Sequence, residues 1–379
     1  MSRDVDANRH ADANRHAEVI RNVNVEHVVV RYEPDDLPRQ LVRLAARLAD
    51  GAVLDRWRAV DRSAHAPHLV AVPDETGEDW RAAALVTARP GTAYLKIVDT
   101  VGEVTGAVRA VEAEARRRGL AQLKWEGWTA SREDAAAAGF TPLNAPLSQS
   151  EGAKGPATGH VRWLHDATVA GSAEPPYYGQ TTHFTCGAVT ALVARAHAGT
   201  LPRQALDRQA ELTLWRDATN FNACEPVGLG VALRRAWPAS PVTVHLDTDR
   251  PVMLDHLPEA DQDWRAVLQR ASRAEAERVG VPVDPSRLSL TSIRETLAAG
   301  RDHVLLLLSL AEMQGFDVPH WVLCHGVVPG AVVIEDPWAN AATGDTWVDA
   351  HLLPVPDAAL EAMAAIGPEG FRGAVTMGS

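Results

Sequence analysis

From about residue 25 onward, apolar and polar positions recur with regular periods. VEHVVVRY reads as a strand, LPRQLVRLAARLADG as a helix ended by Gly51, and PHLVAVP and RAAALVTA as strands split by the turn DETGED. TAYLKIV predicts another strand, VTGAVRAVEAEARRRG a longer helix stopped by Gly119, and LAQLKWEGW a strand. A short helix near 132–138 then precedes GFTPLN, completing an α/β alternation. Further on, FTCGAVTALVARAHAG sets Ala188, Val189, Leu192 and Val193 at helical spacing, with Gly199 as the stop. PVTVHLD predicts a strand, 259–279 and LTSIRETLAAG helices, HVLLLLSL a buried strand and FRGAVTM a closing strand. Helices come first and an antiparallel sheet later, an α+β order that leaves a cleft between them.

Two stretches lack any period. The direct repeat DANRHA, at 6–11 and 12–17, predicts a disordered arm over 1–24. NAPLSQSEGAKGPATGH, 144–160, reads as a loop or linker, with the boundary near 166–174. A chain of 379 residues with 24 Pro and 27 Gly is too long for one core. The division expected is therefore 1–24 arm, 25–165 first domain and 166–379 second domain.

Charge narrows the partners. Acidic residues number 49 against 37 basic ones, so the net charge of −12 disfavours nucleic acid and anionic membranes as partners. The longest apolar run, HVLLLLSLA, is too short to span a bilayer, and the polar N-terminus does not read as a signal peptide, so a cytoplasmic location is expected. Three cysteines, Cys186, Cys224 and Cys324, cannot all pair within the chain, and a cytosol keeps thiols reduced.

Cys186 is the candidate nucleophile. It falls in the first turn of its helix, with Thr185 as N-cap, where unsatisfied N–H groups and the helix dipole stabilise a thiolate. A thiolate attacking a carbonyl also needs a base and donors for the developing oxyanion. Gln180 and the Cys186 amide can supply the donors. DVPHWVLCHGVV puts His320 at the entry of a strand, and GAVVIEDPW puts Asp336 at the end of the next, so adjacent antiparallel strands would pair them. Zinc is the alternative, from His183, Cys186, His320, Cys324 and His325, but on a strand His325 points away from His320 and Cys324. No metal is expected, Cys324 is assigned to the core and His325 to the rim of the hairpin. Asn222 and Glu225 line a substrate cleft or cap the helix begun by Pro226. Trp321 and Trp338 flank the His and Asp, and either pack the hairpin or wall an apolar pocket. Cys224 is a second thiol available to Cys186.

Q-x5-C-G, then P-H-W-V, then D-P with its Asp sixteen residues after the His, resembles the papain-like cysteine peptidases, and most nearly their C39-like branch, over about 175–340. The resemblance implies a papain-like fold with Gln180 at the oxyanion hole, Cys186 as nucleophile, His320 as base and Asp336 as orienting acid. The chain shows no apolar span and no G-x4-GK-[ST] loop, so leader cleavage coupled to export is not implied. Residues 25–165, with RRRGLAQLKWE and AAGFTPL, resemble the GNAT acyltransferase fold. That fold's basic, glycine-rich loop cradles acetyl-CoA, whereas VDTVGEVTGAV keeps Gly102 and Gly106 but carries Asp99 and Glu103. A degenerate GNAT-like domain without acetyl-CoA is expected, and no cofactor elsewhere. The pairing resembles bacterial proteins. It implies a peptidase or amidase acting through an acyl-thioester on a peptide, small amide or thioester. The alternatives are an amide-forming acyltransferase using the same residues, or a non-catalytic binding protein.

Overall fold

The computed structural model describes residues 18–21, 26–128, 130–147, 155–164, 173–219, 221–255 and 257–378, the first four by backbone alone. The fold is α+β, built on two sheets. The first holds β1 (Glu18–Arg21), β2 (Glu26–Arg31), β3 (His68–Pro73), β4 (Trp80–Thr87), β5 (Tyr94–Gly102), β6 (Gln122–Glu126), β7 (Thr141–Pro142) and β8 (Gly159–Trp163). Its order is β1-β2-β3-β4-β5-β6-β8-β7, and only β5 and β6 run parallel. Helices α1 (Arg39–Arg47) and α2 (Gly51–Arg58) cover one face, burying Leu41, Leu44, Leu54 and Trp57 against Leu69 and Leu85. Helix α3 (Val104–Arg117) covers the other through Val108 and Val111, and α4 (Arg132–Ala137) follows β6.

The second part opens with α5 (Cys186–His197), α6 (Arg208–Ala218) and α7 (Pro226–Ala236). Then come β9 (Val242–Leu246), α8 (Glu259–Val279), β10 (Val283–Asp284), α9 (Leu290–Ala299), β11 (Asp302–Ser309) and α10 (Ala311–Gln314). It closes with β12 (Pro319–Val328), β13 (Ala331–Glu335), α11 (Trp347–Ala350), β14 (Leu353–Pro356), α12 (Asp357–Met363) and β15 (Gly373–Gly378). The strand order is β10-β9-β15-β11-β12-β13-β14. Helices α5 and α7 pack one face, with Leu305, Leu307 and Trp321, while α9 and α12 pack the other, with Val304, Leu306 and Leu308. Burial on both faces explains why β11 reads as an unbroken apolar run. No described helix is long and apolar enough to cross a membrane.

Several expectations need correction. LPRQLVRLAARLADG is not one helix ended by Gly51: α1 stops at Arg47, Ala49 takes a left-handed φ of 52°, and Gly51 begins α2. The break lets both short helices lay apolar faces on one sheet. Residues 18–21, placed in the disordered arm, pair as a strand with β2, while the DANRHA repeats lie outside the described residues. Gly159–Trp163, partly assigned to the linker, is a strand hydrogen-bonded to β6 and β7. FRGAVTM closes the chain but not the sheet, because β15 inserts between β9 and β11.

His325 is buried, not at the rim. His197, the last residue of α5, meets His303 and His325 edge to face, with ring centroids 5.5 and 5.2 Å away. Burial, then the neighbouring His197 and Arg195, pushes His303 down to about 4; burial, then the surrounding histidines, pushes His325 down to about 3. An unfolded histidine titrates near 6.5, so as pH falls below about 6.5 the unfolded chain takes up protons that the folded chain refuses, and stability falls. His325→Leu should therefore lose less stability than the wild type between about pH 7 and about pH 4.5, as read from urea midpoints. Equal losses would remove this cluster as a source of acid sensitivity.

Candidate active site

The nucleophile end is built by a loop folded around a carboxylate. Cys186 opens α5, whose body is buried. Thr185 stands at the N-cap position, but its hydroxyl does not cap the helix; it donates to Glu211 instead. Glu211, buried on α6, also accepts from the Tyr178 hydroxyl at 3.1 Å and from the Thr181 amide and hydroxyl at 2.8 and 2.9 Å. One side chain thereby fixes the path from Tyr178 to Cys186. Gln180, within that path, donates its backbone N–H to the Pro337 carbonyl at 2.7 Å and its Nε2 to the Thr182 carbonyl at 2.7 Å. An amide nitrogen carries two N–H groups, so one remains for a ligand.

The base end is built by a hairpin. β12 and β13 run antiparallel, with Leu323 opposite Glu335, and turn at Gly330, whose φ is +73°. This register carries Asp336 back to the start of β12, where His320 Nε2 and Asp336 Oδ1 are 2.7 Å apart. The Cys186 sulfur lines the same cavity and acts on the charge of the same imidazole, and with Nε2 occupied by Asp336 the nitrogen left for it is Nδ1. Burial works to lower the His320 pKa, but the Asp336 carboxylate and the Cys186 sulfur override it and hold the ring's pKa up to about 10. Burial works to raise the Asp336 pKa, and His320 and Arg89 override it downward. The Trp338 N–H also donates to Asp336 Oδ1, at 2.8 Å. Asp336 Oδ2 accepts from Arg89 Nη1 at 2.6 Å, a contact from the first sheet's side of the molecule.

Cys186, His320 and Gln180 open onto a cavity of about 370 Å³. Its walls are mostly apolar, with Phe184, Phe221, Leu310, Phe316 and Trp338 among them, and Arg265 as a buried cation. Trp338 is thus a wall residue, its ring 5.6 Å from that of Phe316. Asn222 and His183 stand exposed at the mouth. Trp321 and Glu225 take the other role that was open to each, packing and capping, and do not line this cavity. Trp321 is wholly buried against α5, its Nε1 donating to the Cys224 carbonyl at 2.9 Å, because adjacent strand residues face opposite ways and His320 takes the cleft side. Glu225 caps α7, accepting from the Val227 and Gly228 amides at 2.7 Å each, and lines a neighbouring cavity. Cys224 and Cys324 are buried, and burial pushes Cys324 up to about 12. Among the described residues no group of three or more His, Cys, Asp or Glu could hold a metal ion.

At the head of α3 the residues do not fit a pyrophosphate. The Glu103 carboxylate lies 3.1 Å from where a Cβ on Gly106 would stand, over the helix's first turn. Asp99 faces inward and accepts from Trp57 Nε1 at 2.9 Å and Arg56 Nη2 at 3.0 Å.

Arg89, Glu211 and Arg265 escaped the sequence reading. Glu211 and Arg265 lie on polar-looking helix stretches, and Arg89 is 247 residues from Asp336, so no spacing links them.

Solved structures similar to the N-terminal part are GNAT acetyltransferases. A protein assigned to that family from Desulfovibrio desulfuricans is 17% identical, covering 37% of this chain and 99% of its own, with a TM-score of 0.25. The aminoglycoside 6'-N-acetyltransferase from Enterococcus faecium is 12% identical, covering 36% and 97%, with a TM-score of 0.25. An acetyltransferase of the GNAT family from Staphylococcus aureus MU50 is 9% identical, covering 37% and 99%, with a TM-score of 0.25. At such scores these likenesses carry no argument about what the chain binds or does. No curated protein matches the chain. Residues 175–378, by contrast, match the family described as "Peptidase_C39 like family", and this range holds Gln180, Cys186, His320 and Asp336. By that match over more than half its length, the chain belongs to the Peptidase_C39 like family.

Proposed function

We propose that this chain cleaves a peptide or small amide through an acyl-thioester on Cys186. The observation that carries the proposal is the 2.7 Å contact of His320 with Asp336, with Cys186 lining the same cavity as that imidazole. His320 keeps its proton through the neutral range, and an imidazolium beside the sulfur favours negative charge there. The sulfur adds to the substrate carbonyl carbon, and the C=O π electrons move to oxygen. The Cys186 N–H and the second N–H of Gln180 receive that oxyanion. When the tetrahedral intermediate collapses, the C–N bond breaks and the leaving nitrogen takes the His320 proton. Water then attacks the thioester carbonyl, His320 takes its proton, and the acid departs with the sulfur restored.

The apolar cleft favours a second reading. Walls such as Phe184, Phe316 and Trp338 suit an apolar acyl group and leave few polar groups to hold water. An amine would then take water's place as acceptor, giving an amide from the same thioester.

Three outcomes are expected. Iodoacetamide should label Cys186 faster than it labels an exposed peptide thiol, and Cys186→Ala should abolish both label and turnover; equal rates, or activity retained in the variant, would end the nucleophile reading. Incubation with acyl donors, with and without an added amine, should show a thioester adduct by intact mass, and the product formed separates hydrolysis from transfer. The pH dependence gives the third: acylation by an amide donor should fall as pH rises through about 10, where His320 loses the proton the leaving nitrogen needs. Alkylation needs no such proton and should not fall there, so a parallel fall in both would refute His320 as the acid.

A further inference from the structure

Arg89 lies before the family-matched region, in the turn between β4 and β5, and is buried among groups of the second part of the chain. The turn is shaped for it. Gly91 has a φ of +69°, and a Cβ there would meet the Glu312 carboxylate and the Met363 side chain at 2.6 Å, so the backbone passes flush against the second part. The Thr92 hydroxyl donates to the Arg89 carbonyl at 2.6 Å, and the Arg89 amide donates to the Tyr94 hydroxyl at 3.3 Å.

All three guanidinium nitrogens are used. Nη1 donates to Asp336 Oδ2 at 2.6 Å; Nε and Nη2 form a fork on Asp345 at 3.1 and 2.6 Å; Nη2 also reaches the Trp338 carbonyl at 3.1 Å. Asp345 is held in turn by Gln314 Nε2 at 3.1 Å and the Asn340 amide at 3.0 Å. Asp336 therefore has one oxygen on His320 and the Trp338 amide and the other on Arg89. The charged groups around it are His320, Arg89 and Asp345, and the buried Tyr177 hydroxyl is the neutral neighbour. Two cations thus face two carboxylates out of water. Removing Arg89 takes one positive charge from this buried set and leaves its carboxylates less balanced, which burial penalises heavily.

We propose that Arg89 is a positioning residue of the catalytic centre: it fixes and charge-balances Asp336, so the C39-like region takes one part of its machinery from the N-terminal part of the chain. This rests on the Cys186 reading. A guanidinium suits the role because it spans two carboxylates with a rigid fork, as a lysine ammonium does not.

The test uses the full chain and the rate of Cys186 alkylation by iodoacetamide across pH, read by intact mass, with Cys186→Ala as the blank. Arg89→Gln keeps donors but loses the charge. It is expected to slow labelling by about tenfold near neutral pH and to move the acid limb of the profile upward, because Asp336 then takes a proton at higher pH. In an Asp336→Asn background the same substitution should add less than about twofold, since both changes act through one carboxylate. Should Arg89→Gln fail to fold, the charge-balanced pair Arg89→Gln with Asp345→Asn removes one cation and one anion together and serves the same assay. A folded variant of either kind with the wild-type rate and acid limb overturns the proposal, as does full additivity with Asp336→Asn. Wild-type labelling no faster than a free thiol instead sinks the Cys186 reading and is seen before any Arg89 variant is made.

Discussion

Burying the carboxylate of Asp336 is the constraint around which this structure is arranged. An ionised carboxyl group removed from water is costly unless every lone pair finds a donor and a counter-charge lies close. Asp336 meets that demand from two directions, with His320 at the start of β12 and Arg89 from the turn after β4. The same solution repeats along the contact between the two sheets. Lys96 pairs with Glu126 and Asp349, Lys124 donates to the Asp349 and His351 carbonyls, and the Tyr94 hydroxyl donates to Asp349. Lys124 shows what such burial costs, since desolvation first of all brings it down to about 7. His351 is clasped between Glu335 and Glu174, whose charges overcome burial and hold it up to about 9.

A contact made of satisfied ions behaves differently from an oily one. Each partner removed leaves its mate buried and unpaired, so the two parts of the chain are bound by a penalty for separation more than by area. Geometry is specified as well, because hydrogen-bonded ions tolerate little sliding. Trp347 Nε1 on the Pro156 carbonyl and Gln122 Nε2 on the Leu352 carbonyl add neutral bonds in the same register. The cleft beside Cys186 has the opposite character. There Phe184, Phe221 and Trp338 surround a sulfur and an imidazole, and the polar groups beside them are few, Gln180, Asn222 and Arg265 among them.

That Gln180, Cys186, His320 and Asp336 would meet was legible beforehand. The order Gln180, Cys186, His320 and Asp336 was readable because a helix start and a hairpin are local objects, each announced by its own period and turn residues. Strand geometry decides between the two roles open to Trp321: it must face away from His320, and it does. For Glu225 the capping alternative prevails, since Glu-Pro-Val-Gly heads a helix and the carboxylate accepts from its first amides. Glu211 offered no such handle, because a single acid on a polar helix carries no mark of the loop it will hold.

The amino-acid sequence by itself determined which faces of most segments seek burial and what kind of element each forms, since side-chain periodicity acts over a few residues. Tertiary structure alone decided what each face is buried against. It put β15 in the middle of its sheet although it is last in the chain, split α1 from α2 at Ala49, and drew His325 inward against His197. It also brought Arg89 to Asp336 across 247 residues. Periodicity encodes that a surface is covered; the identity of the cover depends on distant segments whose meeting leaves no repeating trace in the chain.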